Sequence, residues 1–450
     1  MSEIIKIKRG LDIKLKGEAE KSVVKAENSG LYAIKPEDFI GLIPKLNVKA
    51  GDEVKVGSHL FSDKNRPEIK FVSPVSGKVV DVSRGEKRKV LAVIVESDGK
   101  NECLKIDSVD PSALTREKVT EIMLDKGVWP FLRQRPYNVI ANPQHSPKSI
   151  FISGFDSSPL APDLDFIMKD FQKEFQTGIN ALKKLTDGKI HLGLRAGSDS
   201  SATFTKSSNT DIHYFNGPHP AGNVGVQIHA VDPINKGDII WTVSPQDVVT
   251  IGKLFMEGVY NSSITIAIAG SEVLKPAYYQ VVRGAAISGL IKGNVGVNEN
   301  RYISGNVLTG TNIMKDGYLG FYDKQISIIP EGNYYDFLGW ALPGFEKYST
   351  SRTFFSWLTP SRKYALDTNL KGGERAFVMT GQYESVVPMD IFPVQLIKAI
   401  LAGNVDRMEQ LGIYEVVEED LALCEFVCTS KIEVQEILRN GLELMRKEME

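Results

Sequence analysis

Near residue 150 the spacing of apolar residues changes, and that change confines the chain to folds that join separate β and α units. Before about residue 100, short apolar alternations are cut by turn signals at Gly51-Asp52, Gly57, Ser73-Pro74, Ser76-Gly77 and Asp98-Gly99. That is the pattern of short strands joined by tight turns. It begins with Ile5 and Ile7, then Ile13 and Leu15, interleaved with Lys6, Lys8, Lys14 and Lys16. A period of two suits a strand and not a signal peptide. Beyond Ile150, Leu164, Ile167, Met168, Phe171, Phe175, Ile179 and Leu182 recur at helical spacing. Strands are expected at Ile150–Ser153, Ile190–Leu194, Ile239–Val243 and Ile264–Ala269. Ser244-Pro245 supplies an N-cap and a proline at the first position of a helix running to about Glu257. Alternating strands and helices imply an α/β sheet domain.

Two further blocks follow. A helix is expected over Tyr278–Ile291, then strands at Arg301–Thr309, Tyr318–Tyr322 and Gln325–Ile329. A small mixed sheet crossed by one helix fits a β-grasp. The tail reads as helices over Val394–Leu401, Asp406–Leu411, Leu421–Val427 and Ile432–Met449. The last carries one apolar stripe through Val434, Ile437, Leu438, Gly441, Leu442, Met445 and Met449, expected to pack on its own domain. Near the N-terminus, Val48, Gly51-Asp52, Val54, Gly57 and Leu60 precede Ser73-Pro74, Gly77, Val79 and Val82. This run resembles the barrel-sandwich fold of biotinyl and lipoyl carriers. Those carriers need a lysine about eight residues before the proline, where this chain has Arg66, with Lys64 two residues away. The module is therefore expected to be structural.

The expected architecture is an α+β multidomain chain in five parts. Residues 1–105 form the barrel-sandwich β region and 106–258 a Rossmann-like α/β domain without a nucleotide fingerprint. Residues 259–330 form a β-grasp domain of the soluble-ligand-binding type. Residues 331–380 are an aromatic-rich linker or docking segment, and 381–450 a helical domain. A length of 450 residues is ample for several cores without disulfide staples. The 54 basic and 56 acidic residues nearly cancel, which removes the electrostatic case for nucleic acid. Three cysteines exclude a disulfide scaffold and are one too few for an all-cysteine iron–sulfur cluster. No apolar run reaches the ~20 residues that span a bilayer, so no direct membrane span is expected.

Common catalytic signatures are missing. No Gly-x-Gly-x-x-Gly follows a strand, and the nearest approaches, Gly289, Gly293 and Gly296 or Gly222 and Gly225, have the wrong spacing for a pyrophosphate cradle. Neither a phosphate loop of the Gly-x4-Gly-Lys-Ser/Thr type nor a Gly-x-Ser-x-Gly elbow occurs. Gly197–Ser201 is a polar loop able to meet an anion or to be a plain loop. His213, His219 and His229 are six and ten residues apart across Gly217-Pro218 and Ala221-Gly222, a spacing that suits loop histidines better than a metal site. Such histidines can donate to a carbonyl or pass a proton. Cys424 and Cys428 share a helical face and read as a reduced, half-buried pair. Between Glu331 and Pro360 nine of thirty residues are aromatic, against 39 in 450 overall. That density suits either core packing or a docking surface.

Taken in order, several segments resemble one family, the A subunits of the Na⁺-translocating NADH:quinone oxidoreductases of bacteria. They are Ile5–Leu15, Asp156–Asp163, Phe215–Gly225, Gln246–Phe255, Arg301–Gly305, Phe337–Trp340 with Pro343–Phe345, Tyr348–Phe354 and Glu419–Cys428. The family is similar to the NADH-binding flavoprotein of respiratory complex I and to the C subunit of the Rnf-type reductases. The resemblance implies that flavin and cluster have been lost here, with Cys424 and Cys428 as remnants of a cluster segment and Thr429 where the family often has proline. It implies no cofactor, metal or catalytic residue in this chain, and flavins (FMN, FAD, riboflavin) and iron centres in partners of a six-subunit complex. That complex would oxidise NADH, reduce quinone and export Na⁺. The chain would lie on the cytoplasmic face of the bacterial inner membrane, peripheral, docked chiefly on the membrane-embedded B subunit and inactive by itself. His213, His219, Asn223 and His229 are the expected quinone-facing residues; Trp340, Phe345, Phe354, Phe355 and Trp357 are the expected docking residues. The alternative reading is a flavin- or NADH-binding protein of the type of the Rnf C subunit or the complex I flavoprotein.

Overall fold

Ile150 and Ile152 point to one side of their strand and Phe151 to the other, and all three are buried. A strand apolar on both faces demands a covering layer on each. In the computed structural model, which describes residues 4–26 and 29–449, this strand is the centre of a seven-stranded sheet. From one edge the order is Ile4–Lys6, Asp211–Asn216, Lys189–Arg195, Ser149–Ser153, Ile240–Thr242, Arg133–Arg135 and Val139–Ile140. The first five strands pair parallel, and the last two pairings, on either side of Arg133–Arg135, are antiparallel. Of the lysine-interleaved N-terminal alternation, only Ile4–Lys6 becomes a strand, on the sheet edge.

One face of this sheet is covered by the helices Gln172–Leu185 and Pro245–Glu257, which share a core with Ile150, Ile152, Ile190 and Leu192. The two helices cross closely at a pair of glycines. A Cβ on Gly178 would lie 2.2 Å from the Val248 carbonyl oxygen, and one on Gly252 would lie 1.8 Å from that of Glu174. The other face packs the helix Val224–Val231 and the helical tail against Phe151 and Ile240. That tail comprises Gln382–Val386, Pro393–Leu401, Val405–Gln410, Glu418–Val427 and Val434–Met449. Val434, Leu438, Gly441, Leu442 and Met445 are buried and Ile437 half-buried, so most of the stripe of the last helix packs within this unit, while Met449 is exposed.

A six-stranded sheet has the order Thr311–Ile313, Asn300–Ser304, Gln325–Pro330, Ser263–Ala269, Ala277–Val282 and Glu20–Lys25. Here the helix expected over Tyr278–Ile291 is corrected. Ala277–Val282 is a strand antiparallel to Ser263–Ala269, and only Ile287–Ile291 is helical. Tyr278, Tyr279, Val281 and Val282 favour a pleated surface, and Gly284 turns the chain at φ 72° where a Cβ would meet the Ala33 carbonyl at 2.2 Å. Tyr318–Tyr322 is also not a strand. It is a loop with Gly317 and Gly320 that buries Leu319 and Phe321.

Residues 31–97 form two small sheets, Leu31–Ile34, Val90–Ser97, Gly77–Arg84 and Glu53–Val54 in one, Pro44–Leu46, His59–Asp63 and Lys70–Val72 in the other. Leu60, Phe61, Phe71, Val79, Val93 and Val95 fill their core. The hairpin tip that carriers would modify instead turns inward, with the Arg66 guanidinium 3.4 Å from both the Asp63 carboxylate and the Ile140 carbonyl.

The helical tail is fastened to the sheet by charge. Arg135, 1% exposed, donates to Asp420 at 2.8 Å and to Glu419 at 2.6 Å. Asp420 is itself buried, accepts the Val417 N–H at 3.0 Å, and lies where a Cβ on Gly225 would be. Burial outweighs its arginine and pushes the Asp420 carboxyl up to about 6. Replacing Arg135 by Met leaves a buried carboxylate without its counter-ion, and breaking such a pair costs about 3–5 kcal/mol. Thermal unfolding of Arg135→Met is expected to show that loss at pH 8 and a smaller one at pH 5, where a protonated Asp420 has less to lose.

Candidate functional site

The parallel sheet steps outward from Ser149–Ser153 to one side through Lys189–Arg195 and Asp211–Asn216, then returns to the other side as Ile240–Thr242. Where the direction of winding reverses, the loops leaving two neighbouring strands diverge and open a crevice at their carboxyl ends. A cavity of about 190 Å³ lies there. Ser153, Phe155 and Asp156 line it after one strand and Thr242–Gln246 after the other. Further wall comes from Arg133, from Asn306, Leu308, Thr309 and Lys324 in the loops beside strands of the second sheet, and from Glu419 of the helical tail. Three structural units therefore close one cavity.

His219 and Asn223 both line it. The backbone N–H of His219 is held by Asp12 at 2.9 Å, and its ring Nδ1 lies 3.0 Å from Ser157 Oγ. Ser157 already accepts the Gly222 N–H at 2.8 Å, so its own hydrogen is free to go to Nδ1. Burial holds the His219 pKa below the ordinary histidine value, and the neutral ring then carries its proton on Nε2. Asn223 donates Nδ2 to the Glu419 carbonyl at 2.9 Å, which ties the cavity wall to the helical tail. Behind them Gln227 donates to Ser153 Oγ at 2.8 Å, in space that Gly193 leaves open. His219 and Asn223 thus bring fixed neutral donors to the cavity.

The other two histidines stand elsewhere. His213 Nε2 faces His191 Nδ1 at 3.0 Å across neighbouring strands, and His191 packs on Phe151 with ring centroids 4.5 Å apart and the planes tilted by 33°. His229 is a strut between domains: it accepts the Asp390 N–H at 3.0 Å and pairs with Glu415 at 2.7 Å. Gly197–Ser201 also lies apart from the cavity, with the Ser201 N–H given to Asp165 at 2.9 Å. Sequence reasoning missed Arg133, Ser158, Thr242 and Lys324. No linear motif marks Arg133 or Lys324; Ser158 falls within the Asp156–Asp163 segment, and Thr242 lies near the end of an expected strand and so at a carboxyl end.

Trp340 is 78% exposed, and Phe345, Phe355 and Trp357 are exposed as well, while Phe354 is half-buried beside Lys347. Tyr335 and Phe337 extend this apolar surface. Cys424 and Cys428 are buried free thiols, and the Tyr383 hydroxyl lies 3.0 Å from Cys428 Sγ. Burial holds the Cys424 thiol far above its ordinary pKa. Among the described residues no group of three or more His, Cys, Asp or Glu is placed to hold a metal ion, and no helix is long and apolar enough to cross a membrane.

Fold and cavity define a multidomain α+β protein with its cavity at the strand ends of a parallel sheet. Three family models match in order: the NqrA N-terminal barrel-sandwich hybrid domain over residues 5–98, the NqrA second alpha/beta domain over 114–260, and the NQRA C-terminal domain over 265–315. The A subunit of the Na(+)-translocating NADH-quinone reductase of Neisseria meningitidis serogroup B is 38% identical over 449 residues, covering 99% of this chain and all of that protein. Its counterpart from Yersinia pseudotuberculosis is 38% identical over 451 residues with the same coverage. The chain belongs to the family of A subunits of the Na(+)-translocating NADH-quinone reductases. A solved NAD+-reducing [NiFe]-hydrogenase in the H2-reduced state aligns at TM-score 0.41 and 10% identity, over 75% of this chain and 62% of that one, a likeness too loose to define a fold.

The His191–His213 pair makes acid sensitivity testable. Burial and the neighbouring His213 lower the His191 pKa to about 4, whereas the unfolded chain takes up that proton near 6.5. Stability therefore falls as pH drops from 6.5 toward 4. His191→Gln is expected to lose less stability between pH 7 and 5 than the parent, by about 1–2 kcal/mol in denaturant titrations.

Proposed function

We propose that this chain is the peripheral A subunit of a respiratory complex that oxidises NADH, reduces quinone and exports Na⁺. The observation that carries this reading is the end-to-end match to relatives of that name. The chain contributes no redox group of its own; flavins and iron centres belong to its partners in the complex. The α/β unit is read as Rossmann-like with its nucleotide loop gone, and the six-stranded sheet as a β-grasp.

The exposed aromatic surface around Trp340, Phe345, Phe355 and Trp357 is the face that docks on the membrane-embedded B subunit, on the cytoplasmic side. Trp and Phe exposed in this density are what an interface core uses. At the cavity, the neutral His219 and the amide of Asn223 offer hydrogen bonds to a quinone carbonyl. The chain holds and orients a substrate whose electrons arrive from elsewhere.

Capture of the complex through a tag on this chain, from gently solubilised native membranes, is the direct test. Na⁺-stimulated NADH:quinone reduction is expected to follow the tag, and a colourless, inactive single chain refutes the reading. In the same capture, Trp340→Ser with Trp357→Ser is expected to weaken co-purification by tenfold or more, with an unchanged circular dichroism spectrum; buried Trp hot spots are worth about 2 kcal/mol each. His219→Ala with Asn223→Ala in the intact complex is expected to raise the quinone KM about threefold to tenfold, the worth of one neutral hydrogen bond or slightly more. An unchanged KM removes the quinone contact and leaves the docking reading intact.

A further inference from the structure

One part of the cavity is more polar than a quinone needs. Arg133 lies in register with Thr242 on the adjoining strand and lines the cavity. Among the described residues its guanidinium makes no hydrogen bond and no salt bridge. Its close contact is the ring face of Tyr322, 5.0 Å from the centroid. An arginine that is half-buried and unpaired keeps a planar fork of donors in reserve, and that fork fits carboxylate or phosphate oxygens.

The groups around it have the same character. Lys324 lines the cavity and its Nζ lies 3.1 Å from Asp247, but that carboxylate also holds the fully buried Arg283, so two cations share one anion. Asp323, the next acid, is bonded to Ser304 Oγ at 2.6 Å, and burial raises its pKa toward the neutral form. Ser158 Oγ and Thr242 Oγ1 are buried in the wall with no hydrogen-bond partner. Their residues are 8% and 3% exposed, and a buried hydroxyl without a partner is costly unless something fills that role. The first turn of the 13-residue helix Pro245–Glu257 completes the wall and favours negative charge. The two carboxylates of the cavity are already engaged beside His219: Asp156 accepts the Ser158 N–H at 2.7 Å, and Glu419 is held by Arg135 at 2.6 Å.

We propose that this part of the cavity is an oxyanion site that takes the phosphate group of a small ligand between Arg133, Lys324 and the hydroxyls of Ser158 and Thr242. The site stands apart from quinone contact, since it uses different residues and needs no redox partner.

The test is calorimetric titration of the purified full-length chain with inorganic phosphate and, separately, with AMP, at matched ionic strength in chloride. Saturable binding is expected, weakened about tenfold or more in Arg133→Met, since a charge-assisted pair is worth that much. Ser158→Ala with Thr242→Val is expected to weaken it about threefold to tenfold while leaving the charge in place. Similar affinity for both probes means that free phosphate suffices, and binding of AMP alone means that the phosphate is read as part of a larger ligand; both support the site. Absence of saturable binding by either probe up to about 20 mM overturns it. So does an Arg133→Met or Ser158→Ala/Thr242→Val chain that folds and binds as the parent does. Quinone KM in the intact complex, read on the same variants, separates failure of this site from failure of the quinone reading.

Discussion

Everything in this structure follows from a strand that is apolar on both faces. Ser149–Ser153 sits mid-sheet with Ile150 and Ile152 on one side and Phe151 on the other, and neither side can meet water. The first layer comes from the nearby helices Gln172–Leu185 and Pro245–Glu257, drawn close by Gly178 and Gly252. The second comes from more than two hundred residues away, in the helical tail. The demand for a second cover is what brings Glu419 to the strand ends and closes a cavity that the α/β unit alone would leave open.

Charge sets the seams between these units. Arg135 with Asp420 and Glu419 joins sheet to tail, and Arg283 with Asp247 and Lys324 joins the helix Pro245–Glu257 to the second sheet. Buried pairs of this kind add little net stability over apolar contacts, but they punish misalignment, because an unpaired buried charge is far more costly than an exposed one. Here they stand on either side of the cavity, so the relative placement of three units is fixed where ligand groups must converge. His229, bonded on both ring nitrogens to the tail, adds a third tie.

The cavity departs from the nucleotide sites usual at such a crevice. A dinucleotide needs a glycine-rich turn so that backbone can approach a pyrophosphate. This chain instead places side chains there, the neutral imidazole of His219 and the free fork of Arg133. Side-chain donors on strands and loops held by packing have fixed orientations, unlike the backbone cradle of a nucleotide loop.

Local spacing made the larger part of the architecture legible. Val434, Leu438, Leu442 and Met445 announce a helix, Ile150–Ser153 a buried strand, and Ser244-Pro245 a helix start, because each depends on neighbours a few residues away. Tyr278–Val282 read as helix because apolar runs of that length suit both periods, and the choice fell to its pairing with Ser263–Ala269. His213, His219 and His229 look alike in sequence, yet only His219 reaches the cavity. Arg133 and Lys324 carry no motif at all. Periodicity and turn chemistry are local, so the chain itself specified most of its elements and its lack of nucleotide loops, and left its aromatic segment open between core and surface. Which polar groups share a cavity depends on packing between residues hundreds of positions apart, and only the tertiary structure decided that.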